Sequence, residues 1–488
     1  MKRYWISLFL CFGTVLAQDL SGSVSKYTLD NGMRVIFAKQ GAAPTVAFNL
    51  MFDIGGADEP NGLGGIAHMV EHMAFKGTET IGGLDVAEKD ALIKVEIEQL
   101  ALEWLRKNGT PEEIAVQEER FVQARDQATQ YSLPAALDDL LSVNGAVGLN
   151  ASTSYDRTSY VAEMPSNRLE LYLRIYADVL LNPVFRYFYE ERDVVREERR
   201  SRNEDDPQGF LFDAFTDAAF DVSPYGRTLI GEDAEINSYT ATQAMAFYKR
   251  YYHPNRAVLV LVGDVEPERD MVLIKKYFEL IPGQLDARPI VRSDGLQTEE
   301  RRVSVEYDAE SQIVIGYHKP TYPDPDAFAF DLLDAVLSGG RTSRLFERLV
   351  VQDQIALSVS TSSGYPGSRF DNLFLLYALP QAPATTDLVE QTLYEELERI
   401  KSQGITEEEL QKVKNQVRAS TVRALASASG LASSLASNEL FGGGWENLVN
   451  DLEIYDAVTV QDIQDVAKRY LTPENRTVGI LLTKEVSQ

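Results

Sequence analysis

The chain has 488 residues, of which 44% are hydrophobic, 10% aromatic and 25% charged, a composition that builds a packed core and is neither disordered, collagenous nor coiled-coil. Single cores stop growing at roughly 250 to 300 residues, so two domains are expected. Lys and Arg total 47 against 74 Asp and Glu, a formal charge of −27 that repels DNA or RNA and attracts basic peptides.

Met1-Lys2-Arg3 opens an apolar run from Tyr4 to Leu16 that closes on Val15-Leu16-Ala17. A positive start, an apolar stretch short for a bilayer and small or branched residues at the cleavage positions predict a signal peptide over 1–17 and a periplasmic or secreted protein. An uncleaved N-terminal anchor is the alternative. Cys11, the only cysteine, lies in this segment, so the mature chain would have none and needs no oxidising compartment. No later segment is apolar enough to span a membrane.

From Lys26, Tyr27 and Leu29 lead through an Asn31-Gly32 turn to Met33–Ala38, the pattern of a hairpin. Val46, Phe48, Leu50, Phe52 and Ile54 alternate with smaller or more polar residues, which predicts a strand with one face inward. Helical patterns dominate to about Arg202, and a continuous buried strand is expected over Ala257–Val262. Strands and helices are mixed rather than strictly alternating, so the predicted class is α+β.

Thr240, Lys249, Arg250, Tyr251 and Pro254 recur at a constant offset as Thr459, Lys468, Arg469, Tyr470 and Pro473, and each copy runs through Asn-Arg into an apolar strand. The repeat predicts two tandem homologous α+β domains, each a mostly antiparallel sheet flanked by helices. The first occupies 18–283 and the second 301–488, with a polar linker over 284–300 that carries Pro289 and Gly295.

Two of the four histidines stand in Gly64-Gly65-Ile66-Ala67-His68-Met69-Val70-Glu71-His72. Between Asn61, a good N-cap, and Gly77, a good C-cap, this reads as a helix with His68 and His72 one turn apart on one face. Such a pair can share one metal ion, and Glu71 can reach a water on that metal without being a ligand. This is the inverted zinc-protease motif HxxEH. Its chemistry needs neutral imidazoles for zinc and a free carboxylate to take a proton from water made acidic by the metal. A catalytic zinc also needs a third protein ligand. Tyr189 to Arg199 supplies candidates: Glu191 and Glu198 are two turns apart on one face, and spacing alone does not choose between Glu197 and Glu198.

His68 through Thr78, HMVEHMAFKGT, resembles the zinc helix of the pitrilysin, insulin-degrading and mitochondrial-processing-peptidase family, and Glu191-Arg192, Val195 and Glu198 resemble its second helix. Asn150 to Thr153, Leu181-Asn182-Pro183, Pro224-Tyr225-Gly226, Val262-Gly263-Asp264 and Ser338 to Phe346 follow in family order. The resemblance implies one zinc ion per chain held by His68, His72 and Glu198, with Glu71 as general base and Glu191 orienting the site. It also implies a non-catalytic second domain, and a sheet edge at Gly145–Thr153 to which substrate adds as a strand, with Asn150 and Ala151 as contacts.

Two departures from the family stand out. A surplus of about fifty residues falls near 93–141. There Leu92, Val95 and Leu102, then Ile114, Phe121, Ala124 and Ala128, predict two helices joined at the capping box Thr110-Pro111-Glu112-Glu113. The arginine and tyrosine that active relatives carry for substrate are here Val350 and Leu357, and Arg348 does not replace them. The expected activity is therefore a zinc metalloendopeptidase acting on peptides or unfolded polypeptides, as the catalytic subunit of a heterodimer whose homologous partner supplies that pair. The alternative is a non-catalytic scaffold subunit of the same fold. His253 and His318 read as structural, and no phosphate-binding loop or nucleic-acid motif is found.

Overall fold

The computed structural model describes residues 22–284 and 294–484. The predicted signal peptide and most of the first half of the linker lie outside the described residues. The chain divides into two compact units.

The first unit holds a six-stranded sheet in the order β1-β2-β6-β3-β5-β4. Its strands are β1 (Val24–Thr28), β2 (Arg34–Lys39), β3 (Thr45–Phe52), β4 (Val147–Thr153), β5 (Thr158–Pro165) and β6 (Ala257–Gly263). β2 and β6 run parallel and every other pair antiparallel. β6 is buried throughout, as its unbroken Val-Leu run predicts. β3 is buried from Val46 to Phe52, not on one face only, because it is an interior strand between β6 and β5. Phe48, Leu50 and Phe52 join the main core, while Asn49 on the other face is satisfied by the Ser159 hydroxyl at 3.1 Å.

Helices α1 (Ile66–Met73), α2 (Glu88–Asn108), α3 (Pro111–Thr129), α4 (Ala136–Val143), α5 (Leu169–Leu181) and α6 (Phe188–Arg199) belong to this unit. α2 and α3 form the predicted helical hairpin. Thr110 and Glu113 close the capping box at its tip, with Thr110 N–H donating to Glu113 at 2.8 Å. The hairpin starts five residues earlier than predicted and ends at Thr129. The rest of the surplus is a loop and α4.

α7 (Pro207–Ala219) follows, then α8 (Asp233–Ser238), α9 (Ala241–Tyr251) and α10 (Pro267–Phe278). Arg200–Thr228, assigned above to the first domain, groups with the second unit. The reason is α7, whose Phe215 seats where Gly316 and Gly479 carry no side chain; a Cβ at Gly316 would lie 2.7 Å from its ring.

The second unit has a five-stranded sheet in the order β7-β11-β8-β10-β9. It is built from β7 (Arg301–Tyr307), β8 (Gln312–Lys319), β9 (Ala356–Tyr365), β10 (Asn372–Pro380) and β11 (Arg476–Thr483). Its helices are α11 (Pro325–Ser338), α12 (Thr386–Gln403), α13 (Glu407–Leu425), α14 (Ala428–Phe441), α15 (Asn447–Ala457) and α16 (Val460–Tyr470). β7 and β11 are parallel and the other pairs antiparallel. Apart from β1, the two sheets share one order and one set of directions. The sequence repeat marks the same device in both: Thr240 and Thr459 cap α9 and α16 through capping boxes closed by Gln243 and Asp462. A short 3₁₀ turn then leads into an interior strand, β6 or β11. Among the described residues no helix is long and apolar enough to cross a membrane.

Candidate metal centre

α1 begins later than its sequence pattern predicts. Its N-cap is Gly65, not Asn61, in the left-handed region at φ 82°. A Cβ at Gly65 would lie 2.0 Å from the Ile230 carbonyl oxygen, so only glycine fits. With no side-chain cap of its own, the helix takes one from Glu59, which accepts the N–H groups of Gly65 at 3.0 Å and Ala67 at 2.9 Å. Glu59 carried no sequence signal, because it stands outside the capping-box spacing. Gly77, the predicted C-cap, has φ 93° and lies four residues beyond the helix end.

On α1, His68 and His72 stack edge to face with ring centroids 4.8 Å apart. α6 brings Glu198 opposite them: one carboxylate oxygen is 3.7 Å from His68 Nε2 and the other 3.7 Å from His72 Nε2. One ligand atom from each residue lies within 4.8 Å of the others. Two imidazoles and a carboxylate are a donor set that zinc takes; tetrahedral ligands at about 2.1 Å from zinc sit roughly 3.4 Å apart, close to the two 3.7 Å separations, and the 4.8 Å bound on the whole set leaves at most about 1.4 Å to close. Glu197 is exposed, and the geometry therefore makes the choice between it and Glu198 that spacing left open.

Glu191 lies two turns before Glu198 and approaches the same imidazole from behind. Its carboxylate is 3.2 Å from His72 Nδ1 and 2.6 Å from Lys76 Nζ. A carboxylate only accepts, so His72 donates from Nδ1 and keeps the Nε2 lone pair on the Glu198 side. Burial alone would raise the Glu191 carboxyl, but hydrogen bonds from His72 and Lys76 and the charge of Lys76 hold it below its usual range. Lys76, one turn after His72, was missed in the sequence; its i,i+4 spacing from a ligand is the signal that could have found it.

Glu71 is not a member of the group formed by His68, His72 and Glu198. It is buried and accepts the Thr153 hydroxyl at 2.5 Å. Tyr160 and Tyr252 lie nearby, and burial first, then the Glu71 charge, pushes both phenols up, with Tyr252 adding to the effect on Tyr160. Thr153 ends β4, which occupies the sheet edge and pairs only with β5, with a register shift between Val147 and Asn150. Asn150 is exposed on that edge, whereas Ala151 is half-buried against the core.

Beneath the site, Arg186 is 1% exposed and binds the carbonyls of Lys76, Thr78 and Ile81 at 3.1, 2.8 and 3.0 Å. Its other contact is a two-point pair with Glu88 at 2.6 and 2.8 Å. It pins the loop that leaves α1 to the first turn of α2. In the second unit Leu357 is 54% exposed at the start of β9, and Arg348 pairs with Glu395 and with Asp353. His253 and His318 each donate to a backbone carbonyl, at 2.9 and 3.0 Å, consistent with structural roles.

Two family profiles match the sequence. The profile described as Insulinase (Peptidase family M16) covers residues 34–93 and 127–233, and that described as Peptidase M16 inactive domain covers 238–417. The break between 93 and 127 falls within the α2–α3 hairpin. The chain is 26% identical to a Helicobacter pylori protein named zinc protease PqqE, over 99% of this chain and 100% of the relative. It is 23% identical to a probable mitochondrial-processing peptidase beta subunit of Arabidopsis thaliana, over 93% of this chain and 77% of that one. A crystal structure of a Helicobacter pylori protease superposes with a TM-score of 0.79 at 25% identity, covering 94% of this chain and 99% of that one. The periplasmic protease PqqL of Escherichia coli shares the fold at a TM-score of 0.70 and 20% identity, over 95% of this chain and 48% of that one.

Proposed function

The chain belongs to the insulinase (M16) peptidase family, and from that premise we propose that it is a zinc metalloendopeptidase of peptides or unfolded polypeptides. One observation carries the reading: His68, His72 and Glu198 converge from two helices, while Glu71, beside His72 in the chain, stands outside that group and accepts the Thr153 hydroxyl. His68, His72 and Glu198 would hold one zinc ion per chain, and Glu191 would orient His72. Zinc bound there would supply Lewis acidity, polarising the scissile carbonyl and lowering the pKa of an attacking water. Glu71 would take the proton from that water and return it to the leaving amine. Its buried setting among Thr153, Tyr160 and Tyr252 keeps bulk solvent from competing for that proton. The open edge of β4 would take substrate as an added strand, with main-chain bonds near Asn150 and Ala151 giving affinity without strict sequence preference.

The charged start and apolar run of residues 1–17 support export to the periplasm or beyond. Val350 and Leu357 offer no side-chain hydrogen bond, which supports a homologous partner subunit contributing an arginine and a tyrosine. Purification of a fully active homodimer would remove the partner from the account. A non-catalytic scaffold is the competing reading. The inactive-domain profile covers 238–417 and includes none of His68, Glu71, His72 or Glu198.

The deciding experiment measures metal content and hydrolysis of an unstructured peptide by the parent and by Glu71→Gln. The parent should hold one zinc, and the variant should keep it while losing about 10²- to 10⁴-fold in kcat. A parent without metal, or a variant as active as the parent, would discard the peptidase reading.

A further inference from the structure

The α2–α3 hairpin touches the ligand-bearing helix at several independent polar contacts, and the insulinase profile passes over most of the hairpin. Tyr187, immediately before α6, has φ 56°, an uncommon conformation for a residue with a Cβ that persists only where its surroundings enforce it. Its carbonyl accepts the Glu191 N–H at 2.9 Å, so its backbone sets the first turn of α6. What holds Tyr187 is Ser132, just past the end of α3. The Ser132 hydroxyl donates to the phenol oxygen at 2.8 Å, and the phenol donates to the Ser132 carbonyl at 3.2 Å. Tyr189 donates to Glu96 of α2. Arg125 of α3 stands 3.3 Å from Glu190 and 3.6 Å from Asp193, on sides of α6 turned away from Glu191 and Glu198.

We propose that the hairpin is a positioning element for the metal centre, in which Arg125, Tyr187 and Tyr189 hold α6 in the register that presents Glu191 to His72 and Glu198 to both histidines. The inference rests on the zinc reading above. α6 carries Glu191 and Glu198 on a rigid rod, so a rotation or slip at its first turn moves both carboxylates together. α1 has its own anchors in Glu59 and Arg186. The later turns of α6 are tied by Arg192, Arg196 and Arg199 to residues 231–239, and the hairpin adds the contacts that fix its first turn, from which Glu191 projects. None of Arg125, Tyr187 and Tyr189 touches the metal cluster, and their effect is on geometry rather than on chemistry.

The test is zinc affinity of the full chain, by competition with a chromogenic chelator, with far-ultraviolet circular dichroism as the check on folding. Arg125→Ala and the Tyr187→Phe/Tyr189→Phe double variant should each bind zinc about 10- to 100-fold more weakly than the parent with unchanged dichroism. Arg125→Lys keeps the cation beside Glu190 and Asp193 and should recover most of the loss. Thr110→Ala, at the hairpin tip, should leave affinity unchanged. Should the double variant fail to fold, Arg125→Ala alone decides. Parent-like affinity in Arg125→Ala, or no recovery with lysine, overturns the positioning role while leaving the peptidase reading intact. A parent that binds no zinc overturns both.

Discussion

Glu191 illustrates how a side chain outside the proposed ligand set can orient a member of it. It accepts from His72 Nδ1 at 3.2 Å and from Lys76 at 2.6 Å, so its negative charge is both fixed and spent on orienting the imidazole. Glu191→Gln removes that charge and should weaken zinc binding by about 10- to 100-fold, read by chelator competition; an unchanged affinity would mean that the ring is held by packing alone. Arg186 acts on stability instead. It is buried, and its removal strands Glu88 and three carbonyls, so Arg186→Ala should cost about 3–5 kcal/mol in urea unfolding. A loss under about 1 kcal/mol would show that the clamp is redundant. The Arg186 clamp is not readable from sequence: Glu88 and Arg186 are 98 positions apart, and only the fold makes them a pair.

Among the elements, the helix termini show how much local chemistry decides. Thr110, Thr240, Thr406 and Thr459 each begin a helix through a capping box, and these starts follow from four-residue patterns. α1 departs from the pattern because the backbone of Gly64-Gly65 crosses that of Ile230-Gly231, a contact no local rule contains. In α13 the cap is also a long-range tie. Glu409 accepts from the Thr406 N–H at 2.8 Å and pairs with Arg344 at 2.6 and 2.9 Å. The hydrogen bonds from Arg344 are the main cause that holds its carboxyl at about 2. A carboxyl depressed in the folded state adds stability above its unfolded pKa, about 4.3, and that stability is lost as pH falls through the folded value. The pair is half-exposed and screened, so Glu409→Gln should destabilise the protein by no more than about 1 kcal/mol at pH 6, with the difference shrinking through acid and vanishing only below about pH 2. A difference that persists in acid would place the effect in the cap geometry rather than the charge.

For the whole molecule, the proposed metal binding would be linked to stability, because His68, His72 and Glu198 come from two helices separated by more than a hundred residues of chain. Zinc at one hundred times its Kd should stabilise the protein by about 2.7 kcal/mol, and chelation should lower Tm accordingly in a thermal scan. Chelator-independent melting would remove metal from the folding account. The sequence by itself determined the duplicated α+β plan, the hairpin and the HxxEH helix, because each rests on short-range periodicity, capping or a recurring motif, and the edge strand β4 came from the family resemblance alone. Spacing left Glu197 and Glu198 open and the resemblance favoured Glu198, which the tertiary structure places against the histidines; only the tertiary structure decided that Arg200–Thr228 joins the second sheet and that Thr153, Lys76 and Glu59 surround the site. Those facts depend on how a helix is rotated and which elements lie side by side. Rotation and adjacency are set by packing between residues far apart in the chain, which local patterns do not encode.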